Sequence, residues 1–78
     1  MTLEIISSHS VLFKGEADSV TLPGVKGSFT VLKNHAPIIS VLTKGKINYR
    51  SDEDGEKEIE IKGGLVDVEN NRIAVCIY

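Results

Sequence analysis

Apolar and polar residues alternate along most of this chain with a period of two. In KINYR, Ile47 and Tyr49 alternate with Lys46, Asn48 and Arg50; in EIEIK, Ile59 and Ile61 alternate with Glu58, Glu60 and Lys62. Successive side chains of a strand point to opposite faces, so each such segment predicts a half-buried strand. Strands are predicted over residues 3–6, 11–16, 19–22, 28–32, 38–42, 46–50, 58–62, 65–69 and 72–78. No window carries a helical stripe, and Gly and Pro fall between the segments, where turns need them. Two hairpins stand out. Asp52-Glu53-Asp54-Gly55 separates INYR from EIEI, and a Gly after acidic turn residues suits a hairpin tip. ENNR separates LVDV from IAVCI, and Asn tolerates the positive φ of a tight turn. The expected fold is all-β, an antiparallel β-sandwich or flattened barrel of about nine or ten short strands.

The last strand departs from the simple pattern. Ile73, Val75 and Ile77 line one face, while Ala74, Cys76 and Tyr78 make the other largely apolar too. Either neighbouring elements cover that second face, or it is an exposed apolar patch that marks a protein interface.

Composition narrows the class. With 78 residues the expectation is a single domain over 1–78. So short a chain buries a modest share of its surface, and its stability can depend on a partner. Apolar residues make up 41% and charged residues 26%, a globular mix. The net charge of −2 gives no electrostatic reason to expect nucleic acid. The charge is uneven, however. DEDGEKEIE holds six acids and one lysine, a net −5, which leaves +3 for the rest of the chain. Such a cluster reads first as a solvated hairpin tip. A single cysteine, Cys76, permits no internal disulfide, and a reducing compartment is the easier reading. No apolar run approaches the roughly 20 residues that span a bilayer, and MTLEII has neither a basic start nor a long apolar stretch.

Chemistry is hard to find. A nucleophile needs a base, and the base needs an orienting partner. None of the serines lies in a nucleophile-elbow context, and His9 and His35 share no short motif. Two distant histidines and one cysteine fall short of the about four ligands that zinc wants. PGVKGS has two glycines but is flanked by strands, so it reads as a strand connection rather than a phosphate loop. Aromatic residues are only 5%, too few for a stacking platform. No catalytic, cofactor or metal site is expected.

Several motifs in order resemble the N-terminal β-sandwich of the epsilon subunits of F-type ATP synthases. These are Gly24 and Gly27, then His35-Ala36-Pro37, Ser40, Leu42 and Gly45, then Gly63-Gly64, Leu65, Asp67, Val68 and Asn71, with Phe13 and Gly15 upstream. The resemblance covers essentially the whole chain. It implies a non-catalytic rotor subunit of the central stalk, on the cytoplasmic face of the bacterial inner membrane, with the gamma subunit and the ring of c subunits as partners. Members usually continue into a two-helix C-terminal domain; this sequence ends at Tyr78, and the expectation is a short form with that domain absent.

By the same resemblance, Lys26, Gly27 and Ser28 in one turn and Asn34, His35, Ala36 and Pro37 in another loop face the c ring. Ser28 stands where some members carry an acid, which weakens the case for an ion pair there and leaves Lys26 and Lys33 as alternatives. For the gamma interface the candidates are Ile38, Ser40 and Leu42, together with Ala74, Cys76 and Tyr78. Pro37 presets the strand entry by fixing its own φ and extending Ala36. His35 has two open roles, holding this turn by a hydrogen bond or touching a partner. An unrelated sandwich with a carbohydrate or peptide ligand remains the competing reading; it requires an aromatic-lined concavity.

Overall fold

The structure is a computed structural model that describes all 78 residues. It contains nine strands and no helix: β1 (Thr2–Ile6), β2 (Val11–Glu16), β3 (Ser19–Gly24), β4 (Gly27–Leu32), β5 (Ile38–Leu42), β6 (Gly45–Ser51), β7 (Gly55–Ile61), β8 (Gly64–Glu69) and β9 (Arg72–Ile77). Each predicted strand is present. The largest change is in β7, which begins at Gly55 because its exposed, charged first half still pairs with β6 from Ser51↔Gly55 onward. Both hairpins form. Asn70 and Asn71 carry φ of 48° and 61°, the two successive left-handed residues of a tight hairpin. Gly55 takes φ 72° at the other tip, where the Asp54 amide donates to Ser51 Oγ at 3.1 Å.

The strands follow the order β2-β1-β9-β8-β5-β3-β6-β7, with β4 on the remaining edge of β3. The link between β5 and β3 is the single register pair Gly24↔Leu42, while the first half of β3 pairs with β6. The sheet therefore folds over at this corner. Alternate residues of the two halves meet in one core: Leu3, Ile5, Val66, Val68, Ile73 and Val75 from one, Val20, Leu22, Val31, Ile47, Tyr49 and Ile61 from the other. Away from the corner, Phe13 of β2 stacks at a tilt on Tyr49 of β6, ring centroids 4.6 Å apart, and ties the two halves together. Burying one such Leu, Ile or Val contributes roughly 1.5–3 kcal/mol. The two ion pairs, Lys14–Glu4 at 4.0 Å and Lys33–Asp18 at 3.5 Å, are exposed, and pairs of that kind contribute about 0–1 kcal/mol. Core packing holds this fold.

Successive connections carry the chain back and forth between two ends, and at the corner the C-terminal tips of β3 and β5, which reach the same end, cross in one antiparallel bridge. An odd number of strands leaves the first and last pointing the same way. When β1 and β9 pair, through Leu3↔Ile73 and Ile5↔Val75, they must pair in parallel. This is the one departure from the antiparallel arrangement expected from sequence; every other ladder is antiparallel. The same parity sorts the connections into two ends. Residues 7–10, 25–26, 43–44 and 62–63 lie at one, and residues 17–18, 33–37, 52–54 and 70–71 at the other.

Candidate functional site

The side of β5, β8, β9, β1 and β2 that faces away from the core carries ordered rows of side chains. Cross-strand register sets Val41, Leu65, Cys76, Ile6 and Val11 in one line. Val41, Leu65 and Val11 are 49%, 52% and 58% exposed, and Cys76 is a free, exposed thiol. The next row runs Ile39, Asp67, Ala74, Glu4 and Lys14, with Ile39 75% exposed and the Lys14–Glu4 pair at its end. A third row, Glu69, Arg72, Thr2 and Glu16, is wholly polar. An apolar line thus grades into a charged border within one sheet face, the anatomy of a protein interface. Neighbours of the last strand do not cover this face: Cys76 and Tyr78 are exposed and Ala74 is half-buried.

The gamma-interface candidates divide accordingly. Ala74 and Cys76 lie in these rows, and the exposed Tyr78 follows β9. On β5 the three candidates lie on the inward parity. Leu42 is 2% exposed and belongs to the core, Ile38 packs against the core, and Ser40 lies on the same inward parity opposite Val66. The outward residues are Ile39 and Val41. IISVL is apolar at both parities, so its period does not choose a face; only pairing with β8 does.

The two loops assigned to the c ring do not come together. Lys26, Gly27 and Ser28 lie at the 25–26 end, all exposed. Asn34, His35, Ala36 and Pro37 follow β4 at the opposite end. Between them β4 spans six residues, about 20 Å at the rise of an extended strand. Counting strand reversals would have revealed this from sequence alone. At its own end the second loop is fastened locally. Asn34 sits at φ 62°, and its amide donates to Asn71 Oδ1 at 2.9 Å. Asn71 also accepts at its carbonyl from the Thr2 amide at 3.1 Å, so it joins three chain segments. The His35 amide donates to the Leu32 carbonyl at 3.2 Å, and Nδ1 donates to the Ala36 carbonyl at 2.7 Å. A carbonyl can only accept, which puts the proton on Nδ1 in this contact. Lys33 pairs with Asp18 at this end and stands apart from Lys26.

Charge differs sharply between the ends. The 25–26 end presents Lys26, Lys44 and Lys62, each exposed and outside any ion pair. The strand connections there contain no acid. The other end presents Asp18, Asp52, Glu53 and Asp54, with Lys33 against Asp18. Glu16, Asp18, Asp52, Glu53 and Asp54 line an open depression with Lys14 and Phe13. No group of three His, Cys, Asp or Glu side chains is placed to hold a metal ion. Burial lifts the Tyr49 hydroxyl above its ordinary value of 10.0, and the nearby Asp54 charge adds to the rise.

Comparison with known proteins agrees with this architecture. The family of the ATP synthase delta/epsilon chain beta-sandwich domain matches residues 1–77. The ATP synthase epsilon chain of Leptospira borgpetersenii is 36% identical over 75 residues, which are 96% of this chain and 58% of that protein. The epsilon chain of Chlorobaculum tepidum is 38% identical over 71 residues, 91% of this chain and 81% of that one. This chain thus spans little more than half of the Leptospira relative. Among solved structures, a chain of the Euglena gracilis mitochondrial ATP synthase OSCP/F1/c-ring assembly superposes with a TM-score of 0.89 at 18% identity, over 96% of this chain and 48% of that chain. A chain of the Tetrahymena thermophila mitochondrial ATP synthase central stalk and c ring gives 0.82 at 13% identity, over 97% and 61%. At such identities these two likenesses speak to fold alone. With the match spanning all nine strands, the chain belongs to the ATP synthase delta/epsilon chain beta-sandwich family.

Proposed function

We propose that this chain is a rotor subunit of the central stalk of an F-type ATP synthase. It binds the gamma subunit, rests on the c ring, and helps couple ion flow to ATP synthesis without contributing a catalytic group. It works at the cytoplasmic face of the bacterial plasma membrane, attached through the complex. The observation that carries this reading is a family match over residues 1–77 together with an uncovered apolar row on one sheet face. Val41, Leu65 and Cys76 form the centre of the gamma contact, and Ile39, Asp67 and Ala74 its border. Apolar side chains aligned across five strands, most of them exposed, have a reason to be on a surface when a partner removes them from water.

The c-ring contact is the turn holding Lys26, Gly27 and Ser28 rather than the loop Asn34 to Pro37. The ring lies in a membrane whose cytoplasmic leaflet is negative, and such a surface repels the acids of the other end, which leaves the lysine end to face the ring. The work of the second loop is internal, since His35 and Asn34 spend their bonds on Ala36, Leu32 and Asn71.

Co-expression with the cognate gamma subunit tests the reading. A tagged chain is expected to bring down gamma, and the double variant Val41→Asp/Leu65→Asp is expected to lose it while unfolding at nearly the wild-type temperature. Recovery of the folded wild-type chain from native membranes without gamma would count against the proposal.

A further inference from the structure

The three unpaired lysines at the 25–26 end are not scattered. Lys44 directly precedes and Lys62 directly follows the register pair Gly45↔Ile61, so both lie just beyond the last rung of the β6–β7 ladder. They line one open groove with Lys46, Glu60 and Ile61. Lys26 is brought beside them by two backbone bonds: the Val25 amide donates to the Val41 carbonyl at 3.0 Å, and the Thr43 amide to the Pro23 carbonyl at 2.8 Å. The turn of Lys26 and the connection of Lys44 are thereby stitched to the two sides of the same corner. The fourth connection at this end, Ser7 to Ser10, adds His9 and no acid. One acid, Glu60, lines this groove, in register with a fourth lysine, Lys46, so lysines outnumber acids there three to one. Like charges gathered in excess repel one another and destabilise the free chain slightly; a negative partner reverses that sign.

The fringe also has a neighbour. Val41, which accepts from the Val25 amide, begins the exposed apolar row. Lysines bordering an apolar line are a protein footprint with a charged rim, and a lipid surface gives the apolar line no reason to be beside them.

We infer that Lys26, Lys44 and Lys62 form an electrostatic fringe that docks on an acidic protein surface, the loops of the c ring. This inference rests on the rotor reading and deepens it by giving the partner's charge. Where other family members carry an acid at the position of Ser28, the ring facing this chain bears net negative charge instead.

The test uses this chain in complex with its cognate gamma subunit, added to detergent-solubilised cognate c ring at two ionic strengths. The wild-type complex is expected to bind less tightly as salt rises, because exposed charges are screened over about 8 Å at physiological ionic strength. The triple variant Lys26→Glu/Lys44→Glu/Lys62→Glu is expected to lose roughly tenfold in affinity or more at low salt, on the basis of three exposed pairs. Its neutral counterpart with Gln at the same positions should fall between and lose the salt dependence. Lys57→Glu, on the exposed first half of β7, serves as the control and should bind like wild type. Unchanged affinity in the triple variant, with wild type bound, would overturn the fringe but leave the rotor reading standing. Lysine-dependent binding to phosphatidylglycerol vesicles, equal to that for the ring, would overturn the ring as partner in favour of lipid. Failure of the wild-type complex to bind the ring at any salt would overturn both.

Discussion

The two ends of this sandwich are made by the same device, four short connections between reversing strands, yet they present opposite chemistry. One offers Lys26, Lys44 and Lys62 with no acid in its connections, bordering an exposed apolar row. The other offers Asp18, Asp52, Glu53 and Asp54, a depression lined by carboxylates, and loops tied down by Asn71. The difference separates two tasks. An end with unpaired cations beside apolar residues is, on the proposed reading, the end that a partner completes. An end whose loops bond to each other is finished internally, and its acids keep it solvated and away from an anionic membrane. A net charge of −2 hides this axis entirely, because the two ends nearly cancel.

Removing what both ends share should erase the comparison. Ile5 is fully buried and belongs to the core on which the two halves close. Ile5→Ala is expected to cost about 2–5 kcal/mol, enough to unfold much of the population of so small a domain, as read by thermal denaturation. Loosening one end at a time should sharpen the contrast instead. At Gly64 an added Cβ would collide with the carbonyl oxygen of Cys76 and lie 3.1 Å from the Ile77 Cα, both backbone atoms that cannot step aside. Gly64→Ala should cost about 1–3 kcal/mol and weaken gamma binding, since the next residue, Leu65, belongs to the apolar row. Gly63→Ala meets instead the Tyr78 hydroxyl, the mobile tip of a side chain, and should cost less. At the acidic end, Asn71→Gly keeps the positive φ of the hairpin but deletes the Oδ1 that holds the Asn34 amide. A loss of about 1 kcal/mol is expected, with faster hydrogen exchange at Asn34 and unchanged affinity for gamma.

The smallest effect concerns pH. Tyr49 has its hydroxyl pKa raised in the fold, first by burial and then by Asp54. The neutral ring is therefore favoured in the folded state. Stability from this source is complete below the ordinary value of 10.0 and is lost as pH rises above it, when only the unfolded chain ionises readily. Denaturant titrations at rising alkaline pH should show wild type losing stability faster than Tyr49→Phe; parallel losses would remove Tyr49 from the account.

All nine strands and both hairpins were legible, because alternation and Asn or Gly at turns are local signals. What escaped needed neighbours. Within Ile38 to Leu42 both parities are apolar, so only the ladder with β8 shows that Leu42 points in and Val41 out. Leu65 and Ile6 joined the candidate site for the same reason: cross-strand register places them beside Cys76. The grouping of the lysines was readable in principle. Lys26, Lys44 and Lys62 sit in every second connection, and strand parity alone sends those to one end. The same count separates the turn at Lys26 from the loop at His35.

Cys76 reports most directly on whether gamma covers the apolar row, since the chain's one thiol lies in that row and is exposed. Its alkylation rate by a maleimide should be measured in the free chain and in the complex with gamma, beside an Asp54→Cys, Cys76→Ser variant that reports from the acidic end. Rapid labelling of free Cys76, strong protection in the complex, and no protection of the thiol at position 54 are expected. Equal labelling of Cys76 with and without bound gamma, or protection at position 54 alone, would contradict the proposed gamma contact.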